Sequence, residues 1–343
     1  MSAQRRIELV CPAGHLPGLR AAVDNGADAV YLGFRDATNA RNFAGLNFTP
    51  EEMEQALAYA HARGARVFVA INTYPTPANW SRWCAALDRA VELGADALIL
   101  ADAGLMRYCA ERHPGQRLHL SVQSSATSRE AIAFYAREFD VQRVVLPRVL
   151  SLAQVEAVIA RVEVEVEVFG FGSLCVMVEG RCGLSGYATG VSPNAGGACS
   201  PAAAVRWEET PRGRSARLNG VLIDVYGPGE AAGYPQLCKG RYAVAGSAAP
   251  TGHPYYALEE PTSLNVLDIL PRLVRAGAAG IKVEGRQRSP AYVAQVTRVL
   301  RAALDACLDD PAGFAPRPEW SAALDRLSEG SCHTLGAYHR PWQ

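Results

Sequence analysis

The chain has 343 residues, 49% of them hydrophobic and 20% charged, which suits a globular protein of one large or two ordinary domains. Lys plus Arg and Asp plus Glu each number 34, so net charge offers no argument for a polyanionic partner or an anionic membrane and speaks against nucleic acid as substrate. The N-terminus "MSAQRRIELVCPAG" reaches Pro and Gly before an apolar segment develops, and no run approaches the roughly 18 apolar residues of a membrane span. The expectation is a cytoplasmic protein, in which nine cysteines point to thiols, metal ligation or core packing rather than disulfides.

In chain order, the apolar run "IELV" is followed by "ADAVYLGF", and that by "TPEEMEQALAYAHARG", a helix with a Thr cap, Pro at its first position, acidic residues in its first turn and a closing Gly64. Run and helix then alternate: "ARVFVAINTY" with "WSRWCAALDRAVELG", "ADALILAD" with "AGLMRYCAERHPG", "RLHLSVQS" with "SREAIAFYAREF", "VQRVVLPRV" with "SLAQVEAVIAR". The seventh run, "VEVEVEVFGFGSLC", ends near Cys175, and the rhythm then lapses for almost ninety residues. It resumes with a helix pattern over Ser263 to Gly277, the strand "AGIKVEG" and the long helix "SPAYVAQVTRVLRAALDACL". Eight apolar strands, each followed by a helix, predict an α/β fold, a (β/α)8 TIM-like barrel with a cysteine-bearing insertion between strand 7 and helix 7. An open doubly wound sheet produces a similar string and stays as the alternative. The expected division is a barrel from 1–175 and 263–310, a cluster-binding insertion at 176–262, and a C-terminal tail at 311–343 packing on the barrel.

A barrel places function at the carboxyl ends of its strands. The polar residues expected there are Asn72, Asp102, Gln123, Arg148, and Glu284 with Arg286; Asn72, Gln123, Arg148 and Glu284 are taken as the substrate-binding set. Each is equally a residue type that satisfies a strand end without chemistry. An anionic ligand would use the arginines and an aromatic one the apolar walls. In "VEVEVEV" the acids share one strand face, which reads most simply as a solvated or salt-bridged edge.

The cysteines divide into two groups. Cys84, with Leu87 and Val91, and Cys307, with Leu300 and Leu304, lie on inward helix stripes; Cys109 reads the same way, Cys11 ends strand one in a packing role, and Cys332 has no evident partner. Cys175, Cys182, Cys199 and Cys238 all follow strand seven in the glycine-punctuated contexts "GSLCVM", "EGRCGL", "GGACSP" and "QLCKGR". Four thiolates in one insertion suit a metal or cluster site. The wide spacings lack the C-x2-C knuckle common in structural zinc sites, so zinc is possible without being favoured; dispersed thiolates can also hold a [4Fe-4S] cluster, and spacing alone does not choose the metal. No G-x-S-x-G elbow is present, since "GFGS" lacks the closing glycine.

The run Glu167, Phe169, Gly172, Ser173, Leu174, Cys175, Gly180, Cys182, Leu184 and Ser185 resembles the signature of the U32 peptidase-like family. The similarity extends through "CPAGHLPGLRAAVDNGADAVYLG", "TNARNFAGLNFT", "LCKGRY", "YALEEPTSLN" and "KVEGRQRSPAYV", where it is closest to the members that act in oxygen-independent ubiquinone biosynthesis. The resemblance implies a [4Fe-4S] cluster on Cys175, Cys182, Cys199 and Cys238, and a heterodimer with the paralogue UbiV. It further implies the lipid-binding accessory protein UbiT, anaerobic hydroxylation of a prenylated phenolic quinone precursor, and prephenate as oxygen donor. Members of the family that hydroxylate RNA bases share that chemistry. The place of Glu167 in the signature suggests that it points into the barrel. Two other classes stand beside this one: a U32-type peptidase, and a binding subunit whose cluster is structural while its partner carries the chemistry.

Overall fold

The computed structural model describes residues 7–176, 182–193, 198–211, 213–230, 232–244 and 254–340; Gly180 of the signature lies outside them. Seven strands open the chain: β1 (Glu8–Pro12), β2 (Ala29–Leu32), β3 (Arg66–Ile71), β4 (Ala97–Leu100), β5 (Leu118–Leu120), β6 (Val141–Val145) and β7 (Glu165–Ser173). Each pairs in parallel with the next. After the insertion, β14 (Gly280–Val283) pairs in parallel with β7 on one side and with β1 on the other. The sheet is therefore closed, and the doubly wound alternative is excluded in favour of an eight-stranded barrel.

The helices between strands are α1 (Leu16–Asp24), α2 (Pro50–His61), α3 (Trp80–Glu92), α4 (Ala103–Arg112), α5 (Arg129–Phe139), α6 (Leu152–Ile159), α8 (Leu270–Ala276) and α9 (Pro290–Asp309), while α7 (Gly183–Thr189) belongs to the insertion. Local chemistry fixes their starts. Thr49 and Glu52 form a reciprocal capping box before α2, as do Ser151 and Gln154 before α6, and the Ser289 side chain caps α9 ahead of Pro290. Outward-facing strand residues and inward helix stripes build one shell core that includes Leu98, Leu120, Val144, Val168, Ile281 and Leu300. Cys84, Cys109 and Cys307 are buried in it. Cys11 is fully buried there too, its sulfur accepting from Thr297 Oγ1 at 3.2 Å, and burial pushes its thiol up to about 12.

The predicted helix over Ser263 to Gly277 is only half right. Ser263–Asn265 is a strand, β13, antiparallel to the end of β7; a 3-10 turn follows at Leu267–Ile269, and the α-helix runs only over Leu270–Ala276. The Asn265 side chain accepts from Leu267 N at 3.1 Å, a local turn that competes with the helical ladder. The tail contributes α10 (Pro318–Asp325) and β15 (His333–Thr334), which pairs with β13. Within the insertion, β8 (Val205–Thr210), β9 (Gly213–Leu218) and β10 (Val221–Tyr226) form an antiparallel sheet, and β11 (Arg241–Tyr242) pairs with β12 (Tyr255–Tyr256).

Candidate functional site

The barrel interior changes character along its axis. One patch is apolar: Val10, Ala29, Tyr31, Phe68, Ala70, Ala97 and Ile99 from β1 to β4 form a separate buried cluster. Opposite it, Glu165 and Glu167 of "VEVEVEV" join a network of cations, while Glu163 is exposed. Glu167 is fully buried, so the solvated-edge reading is overturned for it. Arg143, 2% exposed along its side chain, donates to Glu165 Oε2 from Nε at 2.9 Å, to Glu167 Oε2 at 3.0 Å and to Glu8 Oε2 at 2.8 Å. Lys282 donates to Glu167 Oε1 at 2.6 Å. Burial raises the Glu167 carboxyl, but Lys282 and Arg143 together pull it below the usual Glu value. His119 receives the Nε proton of Arg117 at 3.1 Å, and burial among cations holds it well below the usual His value, hence neutral.

Above this network, at the carboxyl ends of the strands, lies a cavity of about 540 Å³, part of it open solvent. Asn72, Gln123, Arg148 and Glu284 all line it, joined by Tyr31, Arg41, Ile99, Ser121, Phe169, Lys282 and Arg286. Asp102 does not; its Oδ1 accepts from Leu105 N at 3.0 Å, capping α4. Asn72 accepts from Ala40 N at 3.0 Å and donates to Ser121 Oγ at 3.2 Å, pinning the loop after β2 across the mouth. The Arg148 guanidinium sits 4.3 Å from the Phe169 ring centroid and donates to the Ser173 carbonyl. Arg286 donates to Asn39 Oδ1 at 3.1 Å, and burial pulls it down to about 10. Gln123 is 5% exposed, and its side-chain carbonyl oxygen has no hydrogen-bond partner among the described residues. Two glycines permit the close approaches that set this mouth. A Cβ on Gly14 would stand 1.8 Å from the Arg286 carbonyl oxygen, and one on Gly172, whose φ is +123°, would stand 2.8 Å from Glu284 Cβ. Among the described residues the lining holds four cations, Arg41, Arg148, Lys282 and Arg286, against one carboxylate, Glu284, beside aromatic and aliphatic walls. Such a site suits a small anion with an apolar body.

Sequence reasoning missed Tyr31, Arg41 and Lys282. The available signal for Lys282 was a cation inside the apolar strand "GIKV"; for Arg41, in a loop, there was none.

The four cysteines fall into two pairs of segments, each joined through a serine. Cys182 Sγ caps α7 by accepting from Ser185 N at 3.4 Å, and Ser185 Oγ donates to the Cys199 carbonyl. Lys239, next to Cys238, donates to Ser173 Oγ at 3.0 Å, two residues before Cys175, and pairs with Glu329 of the tail. Burial pushes the Cys238 thiol up to about 12; Lys239 opposes this, and charge at Cys199, Cys175 and Cys182 adds to it. Charge at Cys199, Cys175 and Cys182 thus reaches Cys238, which puts the four thiols in one neighbourhood, and thiolate is the donor that bound metal takes up. Among the described residues no three His, Cys, Asp or Glu side chains converge as ligands of a single ion; a cluster instead takes one thiolate at each of its corners. Cys199 is exposed as a residue, though partial desolvation of its thiol raises it and Arg41, the same arginine that lines the cavity, lowers it. Cys332 is exposed and stands apart, beside β15.

The tRNA hydroxylation protein P of Escherichia coli (strain K12) is 33% identical over 341 residues, covering 95% of this chain and 72% of that protein. The tRNA hydroxylation protein P1 of Bacillus subtilis (strain 168) is 30% identical over 324 residues, covering 94% and 69%. A protein of Methanocaldococcus jannaschii described as an uncharacterized protease is 31% identical over 308 residues, covering 88% and 66%. No helix among the described residues is long and apolar enough to cross a membrane. The model of peptidase family U32 matches residues 14–341, and the chain belongs to that family.

Proposed function

We propose that this chain is UbiU, a [4Fe-4S] protein of the cytoplasm that acts with its paralogue UbiV in oxygen-independent hydroxylation of the ubiquinone precursor ring. The observation that carries the reading is the cation-rich cavity with an apolar wall at the carboxyl ends of the strands; that the charge of Arg41, in its lining, acts on Cys199 supports a thiol site beside that pocket. Cys175, Cys182, Cys199 and Cys238 would hold the cluster, which brings redox-active iron to that rim. Arg41, Arg148 and Arg286 bind the anionic oxygen donor, taken to be prephenate, while Tyr31, Ile99 and Phe169 exclude water and face the prenylated phenol. UbiT delivers that lipid-like substrate. The naming of two relatives as tRNA hydroxylation proteins supports hydroxyl transfer as the shared chemistry, and the balanced charge of this chain favours a small substrate over RNA. A peptidase is disfavoured: among the described lining residues there is neither a cysteine nor a histidine, and Ser121 Oγ is engaged by Asn72 and Gln123 N.

The test is anaerobic co-purification with UbiV, iron and sulfide analysis, and ring hydroxylation in cells grown without oxygen. The expected result is a brown complex with about four irons per chain and hydroxylation lost in Cys199→Ala and Cys238→Ala. A colourless zinc-loaded protein sinks the reading. So does peptide cleavage that persists in cluster-free protein, which would restore the peptidase.

A further inference from the structure

We propose that Lys282 seats the anionic end of the cavity's ligand, and that Glu167 and Arg143 beneath it are its positioning residues. This rests on reading the cavity as the reactive site. Lys282 lies in the middle of β14, where Ile281 and Val283 face the shell core and the lysine faces inward, 5% exposed, into the cavity lining. One ammonium proton goes to Glu167 Oε1 at 2.6 Å, and Nζ stands 4.0 Å from the Tyr31 ring centroid. Tyr31 is itself fixed, its hydroxyl donating to the Val283 carbonyl at 2.9 Å. Glu167 cannot swing away, because Arg143 holds its other oxygen at 3.0 Å and both groups are buried. The ammonium is therefore preorganised at one point of the cavity floor.

Its charge is not fully answered. Among the described residues Glu167 is the one ion-pair partner of Lys282, and that carboxylate is shared with Arg143. The groups around it are Arg143 from β6, neutral His119 from β5, the Tyr31 ring from β2, Cys11 on β1, and Arg286 and Glu284 past the end of β14. Burial lowers the lysine below its usual value, Glu167 raises it, and Arg143 and Arg286 lower it further. A carboxylate or other anionic oxygen on the cavity side supplies the missing counter-charge and accepts a charge-assisted hydrogen bond. A compact ammonium suits this place beneath an aromatic ring better than a planar fork.

The test uses the full chain, with prephenate, phenylpyruvate and malonate as probes. Reductive methylation of lysines, followed by mass spectrometry at Lys282, reports contact; calorimetry reports affinity. A probe that binds should slow methylation of Lys282 about 10-fold or more, and Lys282→Met should weaken that probe about 10-fold or more, the scale of a lost charge-assisted hydrogen bond. Glu167→Gln removes the charge that keeps Lys282 protonated, so affinity should fall at a lower pH than in the wild type as pH rises. If Lys282→Met does not fold, the double variant Lys282→Met with Glu167→Gln removes both charges and carries the affinity measurement. A probe that binds yet leaves Lys282 methylation unchanged overturns the proposal, as does the failure of all three to bind. Protection by phenylpyruvate or malonate but not prephenate upholds Lys282 and removes only the oxygen-donor assignment.

Discussion

The barrel and the insertion after β7 are built on opposite principles. Among the described residues, every member of the main shell core comes from before Val176 or after Thr262, and none comes from the insertion. Its own buried apolar residues, among them Ala216, Leu218, Ile223 and Tyr226, are few. It also leaves Tyr187, Trp207, Leu222 and Tyr234 exposed. The barrel pairs its buried charges internally, as Arg143, Glu165, Glu167 and Lys282 show. The insertion instead gathers cysteines, and burial raises the thiols of Cys199 and Cys238. One region carries its own counter-charges inside a packed core, and in the other the proposed cluster would neutralise the thiolate donors.

The largest expected effect falls on the barrel. Arg143→Met leaves Glu167, Glu165 and Glu8 short of a shared cation inside the barrel, and breaking a buried pair from one side costs about 3–5 kcal/mol. Urea denaturation should register that loss over the whole cooperative transition. A smaller loss would mean that water enters the lower barrel and solvates the acids.

Acidification separates the two regions more gently. Glu165 and Glu167 have folded values below the usual 4.5, so their stabilisation is fully present above about that pH and is lost as pH falls through the folded values. His119 is held well below 6.5; since the unfolded chain takes up that proton first, stability should be level above 6.5 and decline below it, by at most about 1.4 kcal/mol per pH unit. The urea midpoint should therefore decline gradually from pH 6.5 and more steeply below 4.5. Glu167→Gln should flatten the lower part. A midpoint that climbs on acidification would contradict the burial of these groups.

The two regions also differ in how far they could be read from sequence. Repeating strand and helix patterns carry the barrel because each apolar run serves the same shell, yet closure rests on the pairing of β14 with both β1 and β7, which no single strand encodes. Alternation in "VEVEVEV" shows that the acids share a face but not that the face is the interior; the place of Glu167 in the signature points inward, and the cations of β6 and β14 are what hold it there. Ser263–Asn265 reads as helix because "SLNVL" fits the helical period, while its place between β7 and β15 makes it strand. The strand-end rule selects Asn72, Gln123, Arg148 and Glu284, which the fold places around one cavity. The same rule also selects Asp102, which only caps a helix. In the insertion, glycine contexts isolate the four cysteines, but the links through Ser185 and through Ser173 with Lys239 are tertiary.

The smallest expected change is the one that probes the contrast most directly. Cys238→Ala removes a thiol whose surroundings lie in the insertion, save for the Lys239 link to Ser173 and Glu329 that the substitution leaves in place. Barrel stability should move by no more than about 0.5 kcal/mol, as for substitutions outside the packed core. Limited proteolysis under the same conditions should nevertheless cut the variant faster within residues 176–262 than the metal-loaded wild type, with the barrel fragments resisting. If the barrel transition shifts together with the proteolysis rate, the insertion and the barrel form one cooperative unit and the contrast between them fails. If neither moves, the thiols contribute nothing to holding the insertion, and its order must come from the small sheet of β8 to β10 and the Arg241–Asp224 pair at 2.6 Å beside it.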